Sequence, residues 1–139
     1  MKTPKVVLDT NIYLSGYLYS GNPLTCLELA REGKILVYIS RPILLELADK
    51  LYNKFNWKEV DVRDLVENVS SYTEIVSPST DIFIIKKDKS DNKILELAKE
   101  VNADFIVTGD KKHILPLKKF GKAQILTATD FVKMLGSKN

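Results

Sequence analysis

Four acidic residues stand where a folded chain could bring them together. Asp9 ends the apolar run KVVLD, and Asp110 closes the run DFIVTGD. Asp91 lies in the first turn of the helical pattern SDNKILELA, and Glu46 lies inside SRPILLELADKL. Carboxylate oxygens are the ligands that Mg²⁺ and Mn²⁺ prefer, and a shared divalent ion relieves the repulsion between acids held close together. The four positions therefore predict a divalent-ion site.

A divalent ion in such a site can hydrolyse phosphodiesters without a nucleophilic side chain. One ion lowers the pKa of a bound water, and a second ion about 3.5–4 Å away stabilises the leaving oxygen. Other chemistries have little support. The single histidine, His113, cannot form the acid and base pair of a metal-independent ribonuclease, and the single thiol, Cys26, lies in an apolar helical pattern. The sequence contains no Walker loop, GxGxxG or GxSxG motif.

Each acid also has a purely structural interpretation. Asp9, followed by Thr and Asn, resembles a common turn, and Asp91 at a helix start interacts favourably with the helix dipole. Asp110 in TGD is a plausible acidic cap after a glycine turn. Glu46 points away from the apolar stripe of its own helix, which is typical of a solvent-facing residue. What favours a shared site is that Asp9 and Asp110 both follow apolar strands predicted to be neighbours.

The elements that position these acids alternate between strands and helices. Runs rich in Val, Ile or Phe predict strands at 5–8, 35–39, 73–76, 104–108 and 123–127. Helical patterns follow Asn11, with an interruption at 19–23, and cover 24–31, 43–54, 57–72, 90–101 and a final stretch that begins near Thr127. This alternation predicts an α/β protein with a mostly parallel sheet covered on both faces. Such sheets carry reactive groups at the carboxyl ends of their strands, where Asp9 and Asp110 lie.

Composition bounds the class of protein. The chain has 139 residues, 45% of them hydrophobic and 28% charged, which predicts one globular domain over residues 1–139. The single cysteine excludes an internal disulfide and is typical of a reducing compartment. No leader segment and no apolar run of about 20 residues is visible, so we expect a cytoplasmic protein without a membrane span.

Lysines are concentrated directly after Asp110, the last of the four candidate acids. Residues 111–122, KKHILPLKKFGK, contain five lysines and no acid, whereas the net charge of the whole chain is only +3. Either this is an ordinary solvated surface in a lysine-rich protein, or it is a patch that binds phosphates of a nucleic acid.

Four stretches of the sequence resemble a known family in order and spacing. VVLDTNIYLSG, SRPILLELADKL, DKSDNKILELA and DFIVTGDKKHIL are similar to the four motif blocks of PIN-domain nucleases. The similarity is greatest to the prokaryotic VapC-like branch, the toxin components of toxin–antitoxin pairs. It implies a Rossmann-like, three-layer α/β/α sandwich with a mostly parallel sheet. It also implies an endoribonuclease whose acidic pocket binds Mg²⁺ or Mn²⁺.

The resemblance implies roles for the acids. Asp9, Glu46, Asp91 and Asp110 match the acidic quartet of the family by position. Asp9, Asp91 and Asp110 would hold the metal, with Glu46 as a further ligand or as a base that orients water.

The resemblance also implies polar neighbours and partners. Asn11 and Thr108 match polar positions beside the quartet and would orient ligands or water. Lys111 and Lys112 would meet the backbone of an RNA substrate. A small antitoxin protein and a homodimer are the expected protein partners.

The sequence departs from the family pattern at two positions. Lys112 stands where many members carry a further acid, which implies a weak second metal site or one completed only with substrate. The DPDD of the branch is DKSD here, with Ser90 in place of an acid. These departures leave open a degenerate domain that binds RNA or protein without cutting. A receiver-like phosphorylation domain is a weaker alternative, since Asp9, Thr108 and Lys111 match its residue types at poor spacing.

Overall fold

The computed structural model describes residues 2–78 and 89–137, without the side chains of residues 89–91 and 137. The strands in this part are β1 (Lys5–Leu8), β2 (Leu36–Ser40), β3 (Thr73–Val76), β4 (Phe105–Val107), β5 (Lys119–Phe120) and β6 (Ala123–Leu126). The helices are α1 (Thr10–Leu18), α2 (Asn22–Arg31), α3 (Arg41–Asn53), α4 (Glu59–Tyr72), α5 (Lys89–Val101) and α6 (Ala128–Ser137). A 3₁₀ turn covers Leu115–Leu117.

The strands form one sheet in the order β3-β2-β1-β4-β6-β5. All described pairs are parallel except β5 with β6. Helix α2 packs with α1 and with α6, while α3 packs with α4 and α5, and α5 also contacts β1 and β2. The predicted three-layer α/β/α sandwich is therefore confirmed. None of the described helices is long and apolar enough to cross a membrane.

The centre of the sheet is completely shielded from solvent. Val6 and Val7 of β1 are completely buried, as are Ile106 and Val107 of β4. These β-branched residues pack well on a pleated surface that is covered on both faces, which explains the continuous apolar runs of the two strands. The register pairs Leu8 with Val107, so β1 and β4 end side by side. The prediction that they are neighbours is confirmed.

Strand β5 was not predicted from the sequence. This strand has only two residues, Lys119 and Phe120, and it pairs antiparallel with Gln124 and Ala123 of β6. A two-residue strand shows no alternation of apolar and polar residues that a sequence pattern could detect. The consequence is that part of the lysine-rich segment 111–122 lies on the edge of the sheet beside β6.

Two helix starts follow their strands directly. Asp9 separates β1 from α1, and the carbonyl of Asp9 accepts the backbone N–H of Ile12 at 2.9 Å. Ser40 ends β2 and caps α3, because its hydroxyl accepts the N–H of Ile43 at 3.4 Å. Pro42 then occupies the first turn, where no intrahelical donor is needed. These short junctions place the starts of α1 and α3 at the carboxyl edge of the sheet.

Helices α1 and α2 approach closely at Gly16. A β-carbon added to Gly16 would lie 2.5 Å from Cδ1 of Leu27 and 3.3 Å from the carbonyl oxygen of Pro23. Leu27 is fully buried, so its side chain has little room to move aside. The absence of a side chain at Gly16 therefore allows α1 and α2 to pack this closely.

We expect Gly16→Ala to lower the free energy of unfolding by about 1–3 kcal/mol, the usual cost of overpacking a core. Urea denaturation followed by circular dichroism measures the change. Gly136→Ala in α6 is the matched control, because a β-carbon there meets nothing within 4 Å. The control should leave stability unchanged or raise it by up to about 1 kcal/mol. Equal stability of Gly16→Ala and wild type would contradict the packing argument.

Candidate active site

A buried hydrogen bond joins the ends of β1 and β4. The Thr108 hydroxyl donates to Oδ2 of Asp9 at 2.6 Å. Thr108 is completely buried and Asp9 is 7% exposed. Backbone bonds hold both residues in the sheet, since Asp9 N–H donates to Val107 and Thr108 N–H donates to Leu126. Thr108 therefore fixes one oxygen of the Asp9 carboxylate in place.

Burial raises the pKa of Asp9 above its ordinary value, and the nearby charge of Glu46 adds to the rise. The Thr108 hydroxyl, the backbone N–H of Asn11 and the positive charge of Lys50 act in the opposite direction, but burial dominates. Taking a carboxylate out of water disfavours its charged form unless a cation or enough donors replace the water. Asp9 is thus an acid whose charge the protein only partly compensates.

Asp110 adjoins this pair through the backbone. Its N–H donates to the Thr108 hydroxyl at 3.0 Å, so one hydroxyl connects Asp9 and Asp110. The carboxylate of Asp110 accepts the N–H groups of Lys112 and His113 through Oδ1, at 2.9 and 3.1 Å. Its Oδ2 lies 3.5 Å from Nδ1 of His113. Asp110 therefore caps the turn that follows it, as one of the two sequence interpretations expected.

Glu46 is not a solvent-facing residue, so that interpretation was wrong. Its side chain is only 15% exposed, and each of its oxygens lies near an ammonium group. Lys50 Nζ is 3.8 Å from Oε1, and Lys93 Nζ is 3.6 Å from Oε2. Helix α3 packs against α1 and α5, so the flank that carries Glu46 is covered even though it lies off the apolar stripe.

Sequence reasoning missed Lys50 and Lys93 as parts of this region. Lys50 is one helical turn after Glu46, a spacing at which opposite charges commonly pair. Lys50 also donates to the side-chain oxygen of Asn11 at 3.4 Å. The i,i+4 spacing was a signal that could have identified Lys50. Lys93 carried no such signal, because its contact with Glu46 depends on how α5 docks against α3.

The remaining predicted residues are placed only in part. Asp91 belongs to the first turn of α5, and its side chain lies outside the part of the chain that is described. The same is true of the Ser90 side chain. Lys111 and Lys112 are exposed directly after Asp110, at the carboxyl edge of the sheet.

The donors fit the divalent ion that the resemblance implies. The three described acids, Asp9, Glu46 and Asp110, offer only carboxylate oxygens, the ligand type suited to Mg²⁺ and Mn²⁺. A cation near Asp9 would also offset the energetic cost of burying the negative charge of Asp9. Within residues 2–78 and 92–136, no three acidic, histidine or cysteine side chains already form an ion-binding cluster.

Comparison with known proteins identifies the family. Residues 5–112 match the family model described as PIN domain. The chain belongs to the PIN domain family. The family predicted from the four motif blocks is thus confirmed, and the matched range contains the four acids predicted to form the site. No curated protein matches the chain in sequence.

The fold of this PIN domain has a relative among solved structures. The chain is similar to a chain in the crystal structure of VapBC2 from Rickettsia felis bound to a DNA fragment from their promoter. The TM-score is 0.60 at 20% sequence identity, and the match covers 87% of this chain and 96% of that chain. At this level of identity the similarity concerns the fold, and it agrees with the observed sandwich.

Because the pKa of Asp9 is raised in the folded protein, ionising Asp9 lowers the free energy of unfolding, and the size of this loss depends on pH. The stabilising contribution of protonated Asp9 is fully present below the unfolded pKa and is lost as the pH rises through the higher folded pKa. We expect Asp9→Asn, which cannot ionise, to gain stability relative to wild type as the pH rises above 3.8, the ordinary pKa of an aspartate. Urea denaturation in EDTA at several pH values measures the difference. Parallel profiles for the two proteins would show that Asp9 is not destabilised by its charge.

Proposed function

We propose that this PIN domain is a Mg²⁺- or Mn²⁺-dependent endoribonuclease that hydrolyses RNA phosphodiesters. One observation carries the proposal: the buried Asp9 carboxylate has a raised pKa, and the nearby negative charge of Glu46 raises it further. Burying this charge costs stability, whereas a divalent ion would make the arrangement favourable. The family membership supports the same conclusion.

In this proposal Asp9, Asp91 and Asp110 hold the ion, and Glu46 is a further ligand or orients the attacking water. The bound ion would supply an activated water and stabilise negative charge on the phosphate. The chain itself supplies positioning. Thr108 holds Oδ2 of Asp9, and the N–H of Asn11 bonds the same carboxylate, so the ligand direction is set before any ion arrives.

We further propose that the protein is the toxin of a toxin–antitoxin pair, with a small antitoxin as partner and a homodimer as its assembly. Two observations support this. The four motif blocks resemble the VapC-like branch, and the fold is similar to that of a chain from the VapBC2 structure. An adjacent reading frame that encodes a small protein able to bind this chain would be the direct genetic test.

A module that binds RNA or protein without cutting is the second candidate. The pairing of both Glu46 oxygens with lysines favours it, since those oxygens already have cationic partners. The two candidates differ in one measurable respect, because only the nuclease needs a divalent ion for its effect on RNA.

We expect Asp9→Asn to reduce Mn²⁺-dependent RNA cleavage by more than about 100-fold, because even the hydrogen-bonding partners of metal ligands contribute 10–100-fold. The measurement is the rate at which a labelled single-stranded RNA is cut, with Mn²⁺ and with EDTA. Asp64→Asn, an exposed acid of α4, makes the same chemical change away from the site and should cut like wild type. Equal cleavage by Asp9→Asn, or cleavage by wild type in EDTA, would refute the metal-dependent nuclease.

Lys111 and Lys112 are expected to bind the RNA backbone beside the acids. The double change Lys111→Ala and Lys112→Ala should weaken RNA binding and reduce the slope of log affinity against log salt by about 1.4, since each phosphate contact on a single strand contributes about 0.7. Fluorescence anisotropy with Asp9→Asn as the background measures binding without cleavage. The control is Lys54→Ala with Lys58→Ala, which removes two exposed lysines at the junction between α3 and α4. An identical slope for both double variants would contradict the assignment.

A further inference from the structure

Glu46 lies between ammonium groups from two different helices. Lys50, from the same helix α3, is 3.8 Å from one oxygen, and Lys93, from α5, is 3.6 Å from the other. A glutamate at the surface ordinarily pairs loosely with one lysine or with water. Here both oxygens have a cation, and the two cations approach from separate elements.

The three side chains are shielded from water to different degrees. Glu46 is 15% exposed, and Lys50 and Lys93 are about one-third exposed, at 33% and 34%. Pairs that are partly buried are screened less by salt than fully exposed pairs. The attraction between Glu46 and its lysines is therefore stronger than that of an ordinary surface pair, and a competing cation must overcome it.

Lys50 reaches beyond Glu46 to the rest of the site. Its ammonium group donates to the side-chain oxygen of Asn11 at 3.4 Å, and Asn11 is bonded through its backbone N–H to the Asp9 carboxylate. The charge of Lys50 also lowers the pKa of Asp9, so it acts on both acids. A single ammonium group thus lies near two carboxylates that the proposed function assigns to one metal site.

We propose that Lys50 and Lys93 are internal counter-cations of the acidic site, which hold Glu46 in the metal-free protein and with which a divalent ion must compete. The inference rests on the proposed metal dependence and deepens it. Asp9 is then the primary attachment for the ion, and Glu46 becomes a ligand only when the lysines give way. Lysine suits this role because its flexible stem allows the ammonium group to move.

The consequence is that the two lysines weaken divalent-ion affinity and stabilise the protein without the ion. Removing one of them should have opposite effects on these two properties. A lysine with only a structural role would lower stability without tightening the binding of an ion. Metal affinity and metal-free stability, measured together, therefore separate the two roles.

The experiment is a Mn²⁺ titration of RNA-free protein, in which electron paramagnetic resonance measures free Mn²⁺. We expect Lys50→Met to bind Mn²⁺ about tenfold more tightly than wild type, the order expected when a unit charge is removed close to a divalent ion. Lys93→Met should shift affinity in the same direction by a smaller factor, because its only described contact in the site is Glu46. Lys50→Arg keeps the charge and should retain wild-type affinity.

Lys99→Met is the matched control. Lys99 is an exposed residue of the same helix as Lys93, and its replacement removes the same net charge away from the acids. It should leave Mn²⁺ affinity unchanged. In EDTA, Lys50→Met should have a lower melting temperature than wild type, and Mn²⁺ should raise that temperature more than it does for wild type.

The possible failures are distinguishable. Wild-type Mn²⁺ affinity in Lys50→Met, with Asp9→Asn abolishing binding, would overturn the counter-cation role and leave the proposed metal site intact. A similar tightening in Lys99→Met would also overturn it, because the effect would then be one of net charge. Absence of Mn²⁺ binding in wild type and in every variant would overturn both this inference and the metal-dependent function.

Discussion

The hydrogen bond from Thr108 to Asp9 is the interaction on which the site depends. It is buried, it is 2.6 Å long, and it joins the ends of two strands that are adjacent only because the chain crosses over between them. Hydrogen bonds to a charged acceptor contribute more than neutral ones, and leaving such an acceptor without its donor is costly. The end of β4 therefore holds one oxygen of the Asp9 carboxylate in place.

The same hydroxyl also accepts a bond, and this second contact extends the site to the next loop. The N–H of Asp110 donates to Thr108, and the Asp110 carboxylate in turn accepts the N–H groups of Lys112 and His113. The strand end, the acid and the turn that carries the lysines are thus connected in one series of hydrogen bonds. Replacing Thr108 with an apolar residue of the same shape would remove the hydroxyl at the centre of this series and break it there.

The sequence predicts the parts of the site that follow from sheet topology, and it fails for the parts that depend on how helices pack against each other. Asp9 and Asp110 could be placed on one edge because strand ends in a parallel sheet obey a topological rule that needs no side-chain detail. The solvent-facing alternative for Glu46 was wrong because helical periodicity considers only one helix, whereas the burial of Glu46 comes from neighbours packed against its flank. Lys93 could not be found at all, since its partner is distant in sequence.

The turn-capping role of Asp110 does not remove it from the proposed metal site. An ionised carboxylate has about four lone-pair positions on its two oxygens. In Asp110 two backbone N–H groups bond Oδ1, and Oδ2 lies 3.5 Å from Nδ1 of His113. Ligating carboxylates are commonly held by such donors, which fix their orientation before an ion binds. The structural and the functional interpretation of Asp110 are therefore compatible, since the bonds that shape the turn also aim the carboxylate. The same reasoning applies to Asp9, whose bond from Thr108 occupies only part of one oxygen's accepting capacity.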